Sequence, residues 1–114
     1  MKYALLLYSS PEARERHEAG GDAILAEYDA IFDAPGVVEG LRLQGPDAAT
    51  TVRVDNGEVL LSDGPYVDAK EYLGGLYVFE ADNLDAATAM AQRVPAARLG
   101  GAVEVRPMVE ERPR

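Results

Sequence analysis

In the segment Tyr3 to Tyr8 both faces of an extended strand are apolar, Tyr3/Leu5/Leu7 on one side and Ala4/Leu6/Tyr8 on the other; Leu76/Val78 and Tyr77/Phe79 repeat the pattern later in the chain. A strand that is greasy on both sides belongs in the middle of a sheet whose two faces are both covered. The two segments are therefore natural neighbours, and whatever else the chain forms must be arranged around that pair.

The stretches between them supply the rest. Ser10 can cap a turn opened by Pro11, and the charged stretch Glu12 to Glu18 reads as a short exposed helix ending at Gly20-Gly21. Asp22 is a suitable N-cap for a second helix, in which Ile24, Tyr28, Ile31 and Phe32 recur at helical spacing until Pro35-Gly36 stops it. Val37 to Gln44 is a strand interrupted by Gly40 and closed by Gly45-Pro46. Thr51 to Asp55 and Glu58 to Ser62 flank Asn56-Gly57, a type I′ hairpin signal that sets Val54 opposite Val59 and Val52 opposite Leu61. Leu84, Ala87, Ala91 and Val94 make one face of a helix capped by Asp82 or Asn83 and ended by Pro95, and Ala102 to Arg106 is a last strand stopped by Pro107.

The order β-α-β-β-β-α-β is that of an α+β, ferredoxin-like split βαβ fold with an extra β-hairpin. Right-handed crossovers place both helices on one sheet face. The other face would then expose the second apolar set of the central strands, a patch that soluble monomers rarely tolerate. A homodimer with two sheets packed face to face is the expected remedy.

At 114 residues the chain suits a single domain, placed here at 1–107, with residues 108–114 as a polar C-terminal tail. A formal net charge of −9 repels phosphate backbones and anionic lipid, which argues against direct nucleic-acid or membrane binding. Absence of cysteine excludes disulfides, thiolate metal sites and cysteine nucleophiles, and fits a reducing compartment. The opening apolar run is too short for a signal-peptide core and no run reaches membrane-spanning length, so a cytoplasmic location is expected.

Chemistry concentrates in the loop Asp63-Gly64-Pro65-Tyr66-Val67-Asp68-Ala69-Lys70-Glu71. Asp63 before Gly-Pro either binds backbone amides of its own turn or serves as a general base or substrate anchor. Lys70 either pairs with Asp63, Asp68 or Glu71, or binds an anion and, once desolvated, exchanges a proton. The carboxylates lack the alternating spacing of a calcium loop, so no metal site is expected. Gly74-Gly75 allows close approach of a ligand, or else a bulge at the entry to a buried strand. His17, the only histidine, lies among Arg14, Glu15, Arg16 and Glu18 as on a solvated helix face, and would act as acid or base only if the first helix folds over the loop. Tyr66 and Tyr72 flank the loop and can wall a pocket, whereas Tyr3, Tyr28 and Tyr77 read as core. The glycine pairs match neither the dinucleotide nor the P-loop fingerprint, and no cofactor is expected.

Asp63-Gly64-Pro65-Tyr66, then Lys70-Glu71, then Leu73-Gly74-Gly75 resembles the signature of the YCII-related, DGPF-domain proteins, with Tyr66 in place of the usual phenylalanine. The similarity extends to the opening Met1-Lys2-Tyr3-Ala4-Leu5-Leu6 strand, the Thr-Thr-Val-Arg segment with its Asn-Gly turn, and the Val103-Glu104-Val105-Arg106-Pro107 ending. The resemblance implies a dimeric α/β barrel built from ferredoxin-like units, usually a homodimer. For the wider group it implies an active site of a histidine and an aspartate, and some members are linked with transcription and alternative sigma factors. Asp63 matches the motif's acid, and Lys70 and Glu71 its charged end; His17 has no clear match to the wider group's histidine. The expected site is thus Asp63, Lys70 and His17 as catalytic groups with Tyr66, Glu71 and Gly74 against the substrate. The expected function is binding, with conversion, of a small polar molecule in a cleft near Asp63 to Glu71. The alternative is a regulatory or protein-interaction module, for example one associated with an alternative sigma factor.

Overall fold

Residues 1–110 are described by a computed structural model. Strand β1 (Lys2–Ser9) leads into helix α1 (Pro11–Phe32), strand β2 (Val37–Arg42), the hairpin β3 (Thr50–Asp55) and β4 (Glu58–Asp63), strand β5 (Tyr72–Glu80), helix α2 (Leu84–Arg93) and strand β6 (Ala102–Pro107). Short 3-10 turns at Pro46–Ala48 and Pro95–Ala97 complete the chain. The main sheet has the order β2-β5-β1-β6, every pair antiparallel, which is the split βαβ arrangement.

The doubly apolar strands β1 and β5 are the central pair, with Leu5 opposite Tyr77 and Leu6 opposite Leu76. Their inner face holds the core: Tyr3, Leu5, Tyr77 and Phe79 pack with Ile31 of α1, with Ala87, Met90 and Ala91 of α2 and with Val94 at its C-cap. Burying side chains of this kind stabilises by roughly 1.5–3 kcal/mol each. The outer set Ala4, Leu6, Tyr8, Leu76 and Val78 contributes nothing to that cluster and stays half-exposed. With helices on one face only, the molecule is a slab of 45 × 42 × 19 Å.

The caps work as their sequences imply. Ser10 Oγ accepts from the Ala13 amide at 3.1 Å, and Asn83 Oδ1 accepts from the Ala86 amide at 2.9 Å. The hairpin turns at Asn56 (φ 49°) and Gly57 (φ 81°), with Val54 facing Val59 and Val52 facing Leu61. It forms a separate two-stranded sheet rather than an extension of the main one.

The two helices expected on either side of Gly20-Gly21 are present: the helical stretch Pro11–Phe32 is divided at Gly21, whose backbone is non-helical (φ 56°, ψ −139°). That conformation is open to glycine and costly for other residues, so the chain turns there without losing the helix on either side. The polar tail expected at 108–114 starts as an extension of β6: the Met108 amide donates to the Lys2 carbonyl, and Glu110 accepts from the Lys2 amide at 3.0 Å. The rest of that tail, 111–114, lies outside the described residues. No helix among the described residues is long and apolar enough to cross a membrane.

Candidate functional site

A concavity of about 940 Å³ opens between α1 and the inner sheet face at the β2 edge. Its walls carry His17, Tyr28 and Asp29 from α1, Arg42 from β2, and Tyr72, Gly74 and Tyr77 from β5. A volume of this size suits a small molecule.

Gly21 is what brings His17 to Tyr28 in the groove. Eleven residues of straight helix would separate the backbones of His17 and Tyr28 by about 16 Å, farther than the two side chains reach together. With the break at Gly21, His17 Nε2 lies 2.7 Å from the Tyr28 hydroxyl and the rings stack with centroids 5.8 Å apart. The other imidazole nitrogen, Nδ1, sits 2.8 Å from the Ala13 carbonyl. A carbonyl only accepts, so Nδ1 must carry the proton; in the neutral ring Nε2 is then the acceptor and Tyr28 donates to it.

Tyr28 is suited to donating. Burial, with the neighbouring Tyr77 adding to it and the charges of Arg42 and Arg98 offsetting part, pushes its hydroxyl up to about 12. Burial raises Tyr77 in the same direction, with Asp29 adding to the effect and Arg42 opposing it. The Tyr77 hydroxyl donates to the Tyr28 carbonyl at 3.3 Å, and Arg98 bonds Glu27 at 2.5 Å, so the second half of α1 is tied to both the sheet and the α2 side. Arg42 makes no ion pair among the described residues although it lines the groove with Asp29.

The back wall is tight. Opposite Gly74 the β1–β5 register shifts between Leu7 and Tyr8, a bulge of the kind the glycine pair suggested. At Gly75 an added Cβ would lie 2.6 Å from the Leu41 carbonyl oxygen, whereas at Gly74 the nearest atom would be 3.8 Å away. Only Gly75 is required by close approach of a neighbouring strand.

The loop after β4 is placed differently. Asp63 is exposed and pairs through its backbone with Thr50. Gly64 donates to the Ala49 carbonyl at 2.8 Å and accepts from Thr51 Oγ1 at 2.8 Å, which fixes the start of the loop at the hairpin base. Tyr66 is 71% exposed and lies under the Arg53 guanidinium at 5.7 Å. Lys70 is 3.8 Å from Glu12, both side chains more than three-quarters exposed, and Glu71 is exposed. Of the six residues singled out from sequence, His17 and Gly74 line the groove and Asp63, Tyr66, Lys70 and Glu71 do not. Tyr28 and Arg42 were missed. The spacing of eleven between His17 and Tyr28 gave no signal, since a straight helix would hold them about 16 Å apart and the contact depends on the break at Gly21. Among the described residues no three carboxylate or imidazole groups gather as metal ligands.

Comparison with known proteins agrees with the architecture. The chain is similar to 5-chloro-2-hydroxyhydroquinone dehydrochlorinase (TftG) from Burkholderia phenoliruptrix AC1100, solved with 2,5-dihydroxybenzoquinone, with a TM-score of 0.58, 16% identity and coverage of 97% of this chain and 96% of that one. At that identity the likeness speaks for the fold. An uncharacterised protein of Rhizobium meliloti (strain 1021) is 32% identical over 122 aligned positions, covering 99% of this chain and 96% of the relative. The YCII-related domain matches residues 1–112. With that match and a relative of nearly equal length, the chain belongs to the YCII-related family.

Proposed function

We propose that the chain binds a small hydroxylated, anionic molecule in the groove beneath α1 and moves a proton from it to His17. One observation carries this reading: a histidine whose Nδ1–H is committed to a backbone carbonyl, leaving Nε2 as an acceptor inside a groove large enough for a ligand. A ligand hydroxyl that takes the place of the Tyr28 hydroxyl at Nε2 gives its proton to the imidazole. The ligand O–H bond breaks, the Nε2–H bond forms, and the oxyanion left behind accepts from the Tyr28 hydroxyl beside the Arg42 charge. Tyr28, with its pKa raised, stays protonated through this exchange and serves only as donor. The name of the structural neighbour, a dehydrochlorinase held with a dihydroxybenzoquinone, is compatible with small-molecule conversion on this fold.

The roles expected for Asp63 as base and Lys70 as its electrostatic partner, with Tyr66 and Glu71 against the substrate, would need those side chains to reach a groove. Within one protomer they do not line this one, so they enter the proposal only through a second copy. A homodimer is the second part of the reading, supported by the outer set Ala4, Leu6, Tyr8, Leu76 and Val78, which is only partly buried and lies outside the core cluster. A dimeric barrel would cover that face. The names of the matching family and relatives carry no association with a sigma factor.

Thermal stabilisation by 2,5-dihydroxybenzoquinone and by a panel of hydroxylated carboxylic acids tests the proposal. Stabilisation of the wild type that persists in Asp63→Asn with Lys70→Met and vanishes in His17→Gln and in Arg42→Met is the expected pattern. Stabilisation kept by the groove variants and lost in the loop variant would overturn it in favour of the loop.

A further inference from the structure

We propose that the β3–β4 hairpin is a dimerisation arm whose apolar face seats on a second copy of this chain. This rests on the homodimer reading above and goes beyond it by naming a second surface. The hairpin register puts Val52, Val54, Val59 and Leu61 on one face, where they are 59%, 67%, 63% and 68% exposed. No charged side chain interrupts them; Thr50 and Asp63 close the face at its base.

The other face is already in use. Thr51 holds the Gly64 carbonyl and Arg53 lies over the Tyr66 ring, so the loop that follows β4 folds back on the Thr51/Arg53 side and leaves the valine side bare. A two-stranded hairpin on its own is marginal in water. This one holds its shape while nearly every one of its residues is exposed and the main sheet lends it no strand, so its apolar face needs a cover that the protomer does not supply.

The surface area is of the size a second copy would cover. The accessible surface is 8139 Å², against roughly 6,100 Å² for a folded monomer of this mass. The surplus of about 2,000 Å² is the amount each partner of an extensive, permanent dimer buries. The outer sheet face and the arm are two apolar surfaces on one chain, and a two-fold pair covers both sets at once.

Sedimentation velocity on the full chain at micromolar concentration reads the outcome, with circular dichroism as the check on folding. The wild type should be a dimer; V54E/L61K should dissociate at least roughly 100-fold more readily; L60K, on the loop-bearing face of the same hairpin, should stay dimeric. A wild-type monomer would overturn the homodimer reading and the arm together. A wild-type dimer matched by an equally tight V54E/L61K dimer would overturn the arm alone and leave the sheet face as the interface. Should V54E/L61K lose its fold, hydrogen exchange of the wild type decides: the proposal expects amides of residues 52–61 to be protected in the dimer and to lose protection on dilution. Fast exchange of those amides in a fully dimeric sample would contradict it.

Discussion

His17 and Asp63 both sit in segments crowded with charge, yet the fold treats them in opposite ways. Around His17 the chain bends at Gly21, and both ring nitrogens acquire a partner on the wall of a groove. Around Asp63 the chain is pinned by backbone bonds at the hairpin base, and the side chains of Asp63, Tyr66, Lys70 and Glu71 are left in solvent. Density of ionisable residues along a sequence therefore does not by itself enclose a group, and it is enclosure that lets neighbours set a side chain's orientation.

The sharpest way to break this contrast is functional. If a ligand is converted, His17→Gln should lower turnover about 10²–10⁴-fold, the usual worth of a positioned acid or base. Asp63→Asn should leave turnover near wild type in the same assay; equal losses would erase the distinction between the regions.

Steric and backbone effects come next. Gly75→Ala drives a Cβ to 2.6 Å from the Leu41 carbonyl oxygen, and should cost about 1–3 kcal/mol in urea unfolding. Gly74→Ala has room and should be close to neutral. Gly21→Ala meets nothing within 4 Å, so its penalty is purely conformational; a loss of about 1–3 kcal/mol is expected, together with separation of His17 from Tyr28. Straightening of α1 with no change at His17 would show that the break does not build the site.

The alkaline limb of stability gives a subtler check. Tyr28 is raised from 10.0 to about 12 in the folded chain, so the fold binds its proton more tightly than the unfolded chain does. Its contribution is fully present below about pH 10 and is lost as pH rises toward 12. Tyr77 adds in the same direction. Tyr28→Phe should flatten that decline between pH 10 and 12 while the acid limb is unchanged. Smallest of all, Lys70→Met should shift stability by no more than about 0.5 kcal/mol, because its pairing with Glu12 is exposed.

Most of the fold was legible because local rules and tertiary structure agree: the doubly apolar β1 and β5, the Asn56-Gly57 turn, the Ser10 and Asn83 caps and the bulge at Gly74 all follow from patterns within a few residues. The site was less legible. Gly20-Gly21 reads as a break and the chain does break there; the angle at which the two halves meet is set by the φ and ψ of Gly21 and is not written in local propensity. Taken half by half, His17 reads as solvated and Tyr28 as core, because only the geometry of the Gly21 break brings the two side chains together.

His17 is the chain's single histidine, so nitrogen-15 NMR of the imidazole reports on one ring without assignment. The groove account predicts that the neutral ring is held as the Nδ1–H tautomer, and that Tyr28→Phe or Gly21→Ala releases it. A ring that in the wild type prefers Nε2–H, as free histidine does in water, would contradict the account at its centre.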